Sequence, residues 1–259
     1  MVFPVRILCD LDLDLCVEGF LCVFFSLVFL TCTPQCESFG TRRLEFFIDI
    51  HDNRTPNNST FNLTELYGRT SIRAAKRISN PGCYATSSQL LIAPLINHLK
   101  PGSLPTVFGI SGYSGAGTVL ENDVESGKPI TKPKVSPKSL DGGVKAYALT
   151  GHIHEKEAGY HLSTLREDGE EAVKVAFVPS VATWFSGILS TVSVPLKQKM
   201  TAKEVAELFE ERYKGEMLVK IQKEVVQLGD VEGRHGWTVG GFQMSVEGDR
   251  VVIVVCPFL

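Results

Sequence analysis

The spacing of hydrophobic and polar residues predicts two long helices. Residues 85–99 carry apolar side chains three to four positions apart, which is the spacing of a helix with one buried face. Pro94 lies inside this stretch, so we expect the helix to kink or end early, because proline has no N–H to donate. Residues 201–215 predict the second helix, since Thr201 and Glu204 have the spacing of a capping box.

Short apolar runs bounded by glycine, proline or polar residues predict strands. These runs are LPTVFGISG, KVAFVPSV, GILSTVSVPL, WTVGGFQMSV and RVVIVVC. Residues 127–143 contain several prolines and a glycine pair, so they predict a loop. Most connections are too short for a crossover between parallel strands. The predicted fold class is therefore α/β (α+β), with a mixed, largely antiparallel sheet and helices on one face.

The first sixty residues have an unusual pattern. Residues 19–31 form an apolar run that is too short to span a membrane and is similar to the hydrophobic region of a signal peptide. The preceding stretch, CDLDLDLCVE, is acidic, whereas a signal peptide is basic there. Asn-x-Ser/Thr sequons follow at Asn53, Asn57, Asn58 and Asn62. The segment is either a secretory signal or an unnatural first segment, such as a mis-joined exon.

Composition and charge exclude several classes of function. The chain has 259 residues, of which 44% are hydrophobic and 21% charged, as in ordinary globular domains. The formal net charge is -3 without a long basic run, which argues against a nucleic-acid partner. Five of the seven cysteines lie in the first forty residues and none forms a C-x-x-C pair, which argues against a zinc ribbon or a disulfide framework. We predict no metal site and no membrane partner.

The stretch SNPGCYAT places a cysteine between a Pro-Gly pair and the first predicted helix. Pro81 and Gly82 can form a tight turn, which would put Cys83 in the first helical turn. The helix dipole and the backbone N–H groups at that position stabilise a thiolate. Cys83 is therefore a candidate covalent nucleophile. The alternative is a small buried cysteine at a helix start.

Two further stretches contain candidate site residues. His152 and His154 lie in LTGHIHEKEAG and are candidates for proton transfer. We expect this stretch to be a strand, which would turn the two side chains to opposite faces and let only one enter a site. The stretch ISGYSGAG, residues 110–117, lacks the G-x-G-x-x-G pattern. It is either a loop that lets a ligand approach the backbone or a structural turn.

Four stretches, in this order, resemble N-acetyl-gamma-glutamyl-phosphate reductases of the eukaryotic, fungal type. They are NPGCYAT, SGYSGAG, GHIHEKE and VPSVATWFSGILSTVSVPL. The resemblance runs from about Leu63 to Val255. It implies the catalytic and dimerisation domain of the glyceraldehyde-3-phosphate and aspartate-semialdehyde dehydrogenase superfamily. It also implies NADP-dependent reduction of N-acetyl-gamma-glutamyl phosphate to N-acetylglutamate semialdehyde, a step of arginine biosynthesis.

The resemblance implies roles for particular residues. Cys83 matches the nucleophile that expels phosphate and carries a thioester, and His152 matches the acid–base histidine. Asn80 and His154 are expected to bind the substrate.

The same resemblance implies a cofactor, partners and a location. Ser114 and Gly115 match the Ser-Gly loop that lies against the NADP cofactor. Relatives form homo-oligomers, and fungal relatives are made together with an acetylglutamate kinase, which is the other expected partner. The expected location is mitochondrial, with a cytoplasmic location as the alternative.

The chain also departs from this family. Residues 1–75 lack a G-x-x-G-x-x-G turn after a strand, Ser180 stands where the family has histidine, and no long helix follows Val255. We therefore expect a truncated member without most of the NADP-binding Rossmann domain. Residues 1–62 would be an atypical amino-terminal segment, poorly ordered or a remnant, and residues 63–259 the catalytic and dimerisation domain. The alternatives are an inactive dimerisation or regulatory fragment of this family and a Cys/His hydrolase.

Overall fold

The computed structural model describes six stretches of the chain. They are residues 45–48, 60–61, 63–70, 77–122, 129–166 and 171–257. The predictions for the apolar run at 19–31 and for the four sequons lie outside the described residues. The chain divides into two units, Met1–Thr86 and Ser87–Leu259, which are described separately. Among the described residues, none of the helices is both long and apolar enough to cross a membrane.

The described residues form the following elements. The α-helices are α1 (Thr64–Tyr67), α2 (Cys83–Ile92), α3 (Pro137–Leu140), α4 (Ile153–Ser163) and α5 (Ala202–Arg212). Short 3-10 helices cover Ala93–His98, Tyr113–Ala116 and Leu228–Asp230. The strands are β1 (Glu45–Ile48), β2 (Thr60–Phe61), β3 (Arg77–Asn80), β4 (Thr106–Gly112), β5 (Thr118–Asn122), β6 (Pro129–Pro133), β7 (Val144–Ala146), β8 (Ala176–Ala182), β9 (Ile188–Pro195), β10 (Val219–Ile221), β11 (Trp237–Met244) and β12 (Arg250–Pro257).

The first unit contains a small parallel sheet. Its strands lie in the order β1-β3-β2, and β3 pairs in parallel with both neighbours. Strand β3 ends at Asn80, and the Pro81-Gly82 pair connects it to α2. The turn and the helix start were predicted from the sequence, whereas strand β3 was not. The connection matters because ligands of parallel sheets bind at the carboxyl ends of the strands.

The second unit contains a sheet of seven strands in the order β10-β11-β12-β9-β4-β8-β7. Four neighbouring pairs are antiparallel, namely β11-β12, β12-β9, β9-β4 and β8-β7. The pairs β10-β11 and β4-β8 are parallel. The predicted fold class, an α/β fold with a mixed and largely antiparallel sheet, is confirmed.

One face of this sheet is more deeply buried than the other. The side chains of β9 alternate strictly between buried and partly exposed positions, as expected when only one face meets the core. Helix α5 contributes the fully buried Phe209, whose ring contacts Phe242 of β11 edge to face at 5.1 Å. On the inner strand β4, in contrast, Phe108 is 49% exposed.

The start of α5 has the capping box that the sequence predicted. The Thr201 hydroxyl accepts the N–H of Glu204 at 3.2 Å, and the Glu204 carboxylate accepts the N–H of Thr201 at 2.7 Å. The same carboxylate also accepts the Thr201 hydroxyl at 2.8 Å. The bond from the backbone N–H of Thr201 and, to a smaller extent, the bond from its hydroxyl lower the pKa of the Glu204 carboxyl. The predicted loop at 127–143 is wrong in part, because strand β6 and helix α3 form within it.

Pro94 ends α2 as predicted, and a 3-10 helix continues the chain from Ala93. Because proline has no N–H, it cannot donate to the carbonyl of Leu90 four residues earlier. The hydroxyl of Tyr213, at the end of α5, donates a hydrogen bond to this carbonyl at 2.7 Å. Both residues are buried, so this bond replaces a helical one away from water.

We expect the substitution Tyr213→Phe to lower the free energy of unfolding by about 1–3 kcal/mol, because it removes this donor and leaves a buried carbonyl without it. Urea denaturation followed by circular dichroism measures the effect. Tyr160→Phe is the matched control, since the Tyr160 side chain is 70% exposed. Equal stability of the two variants would contradict the structural role given to Tyr213.

Candidate active site

Cys83 is the first residue of α2, as the sequence predicted. The carbonyl of Gly82 accepts hydrogen bonds from the N–H of Thr86 at 2.8 Å and from its hydroxyl at 3.0 Å. These two bonds close the first helical turn directly behind the cysteine. The thiol of Cys83 is partly exposed. Asn80, the predicted substrate-binding residue, is the last residue of β3.

The other described cysteine is chemically different. Cys256 lies on β12 and is fully buried. Its burial and, to a smaller extent, the negative charge of Asp230 raise the pKa of its thiol to about 12. Cys256 is therefore a structural cysteine, for which the interpretation as a small buried hydrophobic residue is appropriate.

The prediction that His152 and His154 lie on a strand is wrong. Helix α4 begins at Ile153, and His152 is its N-cap, with its Nδ1 accepting the N–H of His154 at 3.2 Å. Acidic residues in the first turn of a helix interact favourably with its dipole, and the glutamate at position 155 was a signal for this helix. The difference matters for the site, because the two rings lie next to each other, with their centroids 4.8 Å apart.

Aromatic rings surround the histidine pair. The ring of Phe177 on β8 contacts His152 edge to face at 5.0 Å and lies 6.2 Å from His154. The centroid of the Tyr147 ring lies 6.2 Å from that of His152. His154 is buried at 7% exposure, whereas His152 is partly exposed. The cluster therefore presents mainly His152 to solvent.

Two glutamates that the sequence analysis missed hold this cluster in place. The Glu155 carboxylate accepts the N–H of Gly151 at 2.9 Å with one oxygen and the N–H of Phe177 at 3.0 Å with the other. It thereby joins the residue before His152 to strand β8. Glu157 lies 2.8 Å from the Nδ1 atom of His154. Both glutamates follow the histidines within one turn of α4.

We expect Glu155→Gln to lower the free energy of unfolding by about 1–3 kcal/mol. An amide has only one acceptor oxygen, so one of the two backbone N–H groups would face the NH₂ group. Thermal denaturation measures the effect. Glu210→Gln is the control, because Glu210 is an exposed glutamate on α5. Unchanged stability of Glu155→Gln would show that the two hydrogen bonds do not hold α4 on the sheet.

Another packed histidine lies further along the same helix. Burial lowers the pKa of His161, near the end of α4, to about 4. His161 is therefore neutral at physiological pH, as expected for a packed histidine.

Among the residues that the structure describes, no group of three or more His, Cys, Asp or Glu side chains could hold a metal ion.

The predicted cofactor loop follows strand β4. Ser114 and Gly115 lie together in the 3-10 helix Tyr113–Ala116. Backbone hydrogen bonds fix this turn: Tyr113 donates to the Trp184 carbonyl at 3.0 Å and Ser114 donates to the Phe185 carbonyl at 3.0 Å. The loop is therefore fastened to the segment between β8 and β9.

The two glycines Gly112 and Gly115 differ in whether a side chain would fit at their positions. A Cβ atom at Gly112 would lie 2.5 Å from the carbonyl oxygen of Phe185, so a side chain does not fit there. A Cβ atom at Gly115 would meet only Ser111 atoms, the nearest at 3.6 Å, which is an ordinary contact. Packing within the described residues therefore requires glycine at position 112 and not at position 115.

The structure brings some predicted site residues together. His152 and His154 form one cluster, and Ser114 and Gly115 form one turn. Cys83 and Asn80 belong to the connection between β3 and α2. That these three groups form a single active site stays a prediction.

The comparisons with known proteins agree with the sequence resemblance. Protein arg-6, mitochondrial, of Neurospora crassa is 44% identical over 202 residues, which is 78% of this chain and 21% of that protein. An N-acetyl-gamma-glutamyl-phosphate reductase of Xanthomonas euvesicatoria is 39% identical over 186 residues, 72% of this chain and 52% of that protein. The chain thus spans about a fifth of the fungal relative and about half of the bacterial one. The predicted resemblance to these reductases is confirmed.

A comparison with solved structures finds a similar fold. The crystal structure of aspartate semialdehyde dehydrogenase II from Vibrio cholerae matches with a TM-score of 0.56 and 13% identity, over 79% of this chain and 64% of that one. This likeness shows the fold. The family model described as the semialdehyde dehydrogenase dimerisation domain matches residues 83–256, from the candidate nucleophile to strand β12. Because this match covers more than half of the sequence, the chain belongs to the family of semialdehyde dehydrogenase dimerisation domains.

Proposed function

We propose that the chain acts in the reduction of N-acetyl-gamma-glutamyl phosphate to N-acetylglutamate semialdehyde, a step of arginine biosynthesis. The observation that carries the proposal is the partly exposed Cys83 at the first position of α2, where the family match begins. Relatives that carry this activity in their names are similar to the chain over about three quarters of its length. The other described cysteine is buried and unsuited to the role.

The first step would be acyl transfer to sulfur. The Cys83 thiolate attacks the acyl carbon, the bond from that carbon to the phosphate oxygen breaks, and phosphate leaves. The product is a thioester on Cys83. The amino end of α2 favours the thiolate through the helix dipole. Asn80, the last residue of β3, would orient the substrate.

The second step would be reduction of the thioester. NADPH, when bound, supplies the hydride. His152 moves a proton at the substrate oxygen as the carbonyl becomes a thiohemiacetal, and it takes the proton back when the C–S bond breaks. His154 contacts the substrate beside it. The Phe177 ring excludes water from one side of the pair.

The Ser114–Gly115 turn is suited to hold the NADP cofactor. Its backbone is fixed by hydrogen bonds to Trp184 and Phe185. Without a side chain, Gly115 leaves space beside the backbone, although packing within the described residues does not require a glycine there. A missing side chain at such a position allows a flat ligand to approach the backbone closely.

We also propose that the chain forms a homodimer, because the family to which it belongs is described as a dimerisation domain. The partner copy would cover the less buried face of the seven-stranded sheet. Phe108 lies on the inner strand β4 of this sheet, and its cross-strand neighbours Val178 and Thr191 are partly exposed as well. An apolar patch on a sheet is a common association surface. The mitochondrial location and the acetylglutamate kinase partner are proposed from the relatives.

We expect Phe108→Asp to convert the dimer into a monomer, because it places a charge in the apolar centre of the interface. Size-exclusion chromatography with light scattering should show the molecular mass falling by half. Val246→Asp is the control, because Val246 is fully exposed in the turn between β11 and β12. A wild-type monomer, or a dimer that tolerates Phe108→Asp, would contradict this interface.

The proposed activity is tested with the full chain, NADPH and N-acetyl-gamma-glutamyl phosphate. We expect oxidation of NADPH that depends on the acyl phosphate and is lost in Cys83→Ser. Failure to bind NADPH, measured by fluorescence, would favour an inactive dimerisation or regulatory fragment instead. Hydrolysis of the substrate in the absence of NADPH, sensitive to Cys83→Ser, would favour a Cys/His hydrolase.

A further inference from the structure

The two imidazoles of the histidine pair are held by opposite kinds of group. The Nδ1 atom of His152 faces a backbone donor, the N–H of His154, at 3.2 Å. The Nδ1 atom of His154 faces a carboxylate oxygen of Glu157 at 2.8 Å. A ring nitrogen that accepts an N–H carries no proton, whereas one that meets a carboxylate must carry one. The two contacts therefore select different tautomers.

We propose that Glu157 is a positioning residue that holds His154 in its Nδ1–H tautomer, while the backbone of His154 holds His152 in the Nε2–H tautomer. The neutral pair then has one donor and one acceptor. His152 presents an Nε2–H group, and His154 presents an Nε2 lone pair. Neither tautomer follows from the sequence, because both depend on the helix that begins between the two histidines.

Burial strengthens the contact that carries this proposal. The side chains of His154 and Glu157 are only 8% and 13% exposed. A hydrogen bond to a carboxylate is stronger in such surroundings than in water, and leaving the carboxylate unpaired there is costly. Glu155, the neighbouring carboxylate, is engaged by the backbone N–H groups of Gly151 and Phe177. The two acidic side chains thus have separate tasks.

The inference rests on the proposed function for its chemical meaning. Neutral His152 would donate a hydrogen bond to a substrate oxygen on which negative charge develops. The Nε2 lone pair of His154 would accept a hydrogen bond from the substrate, and Glu157 holds the ring in the tautomer that leaves this nitrogen unprotonated. This assignment leaves His152 as the group that acts at the substrate oxygen and His154 as a contact of the substrate. It also adds a carboxylate to the site.

Nitrogen NMR of the full chain, labelled with ¹⁵N-histidine, tests the proposal, because long-range ¹H–¹⁵N correlations identify the protonated ring nitrogen. His152→Gln and His154→Gln variants assign the signals at a pH where the rings are neutral. We expect the Nε2–H pattern for His152 and the Nδ1–H pattern for His154. Glu157→Ala should abolish the Nδ1–H pattern of His154, and Glu157→Gln should keep it, because the amide oxygen can still accept.

Glu210→Ala, on the exposed face of α5, is the matched control and should leave both patterns unchanged. An Nε2–H pattern for His154 in the wild-type chain would overturn the proposal. So would a folded Glu157→Ala variant with the wild-type spectrum. The wild-type spectrum decides the question even if Glu157→Ala does not fold. It needs no substrate or cofactor, so a chain without reductase activity would reject the proposed function and leave this test intact.

Discussion

We expect Cys83 to react with iodoacetamide about a hundredfold faster than Cys256 at pH 7 in the folded chain. Burial holds the pKa of Cys256 at about 12, whereas an ordinary thiol has a pKa of about 8.5. The fractions of thiolate then differ by about three orders of magnitude. The higher intrinsic nucleophilicity of the more basic thiolate offsets roughly half of this difference on a logarithmic scale. The burial of Cys256 widens the remaining difference.

The position of Cys83 at the start of α2 adds a second expectation. Its alkylation should persist well below the pH typical of a free thiol, because the helix dipole favours the thiolate. Peptide mass mapping after timed alkylation at several pH values measures both rates in one sample. Unfolding in denaturant is the control and should make the two rates similar. A folded chain in which Cys83 reacts no faster than Cys256 would remove the basis for the nucleophile.

The second large effect concerns the glycines of the loop after β4. Gly112→Ala should lower the free energy of unfolding by about 1–3 kcal/mol or more, because its Cβ would lie 2.5 Å from the Phe185 carbonyl oxygen and 2.7 Å from the backbone nitrogen of Ser186. These are backbone atoms, which cannot move aside as a flexible side chain would. The clash would also displace the hydrogen bond from Gly112 to the Gly187 carbonyl.

Gly115→Ala is the matched variant, with the opposite expectation. Its Cβ has room within the described residues, so stability should change by less than about 0.5 kcal/mol. The affinity for NADPH should fall at least about tenfold if the cofactor lies against this turn, since a methyl group would occupy its place. Urea denaturation and a fluorescence titration with NADPH separate the two effects. A stable Gly112→Ala variant, or unchanged affinity in Gly115→Ala, would contradict the account of this loop.

The elements that could be predicted from the sequence are those with strong local signals. Pro94 ends α2 because it lacks a donor, and the capping box at Thr201 begins α5 because its two hydrogen bonds are local. Five strands of the large sheet, β4, β8, β9, β11 and β12, were visible as short apolar runs, since each has several buried positions. Such features depend on residues within a few positions of each other.

The features that the sequence did not predict depend on contacts between distant residues or on weak patterns. Helix α4 has no apolar stripe of the usual kind, and its start is stabilised by Glu155, which bonds to Phe177 on another element. The pairing of β3 with β1 and β2 joins stretches that are far apart in the sequence, as in the pairs Glu45–Arg77 and Thr60–Ile78. The hydrogen bond from Tyr213 to Leu90 crosses 123 positions of the sequence.

The same distinction applies to the candidate site. Cys83 could be placed at a helix start because Pro81 and Gly82 precede it directly. The proximity of the His152 and His154 rings could not be predicted, because the assumed strand would have turned the two side chains to opposite faces of the sheet. Glu157 was missed for the same reason, since its contact with His154 requires the helical spacing of three residues.

The most direct test of the central claim is to trap the acyl group on Cys83. The full chain is mixed with N-acetyl-gamma-glutamyl phosphate in the absence of NADPH, quenched in acid and digested for mass spectrometry. The account predicts one equivalent of released phosphate and an acyl adduct on the Cys83 peptide that hydroxylamine removes, with no adduct in Cys83→Ser. Phosphate release without an adduct, or an adduct on a different cysteine, would contradict it.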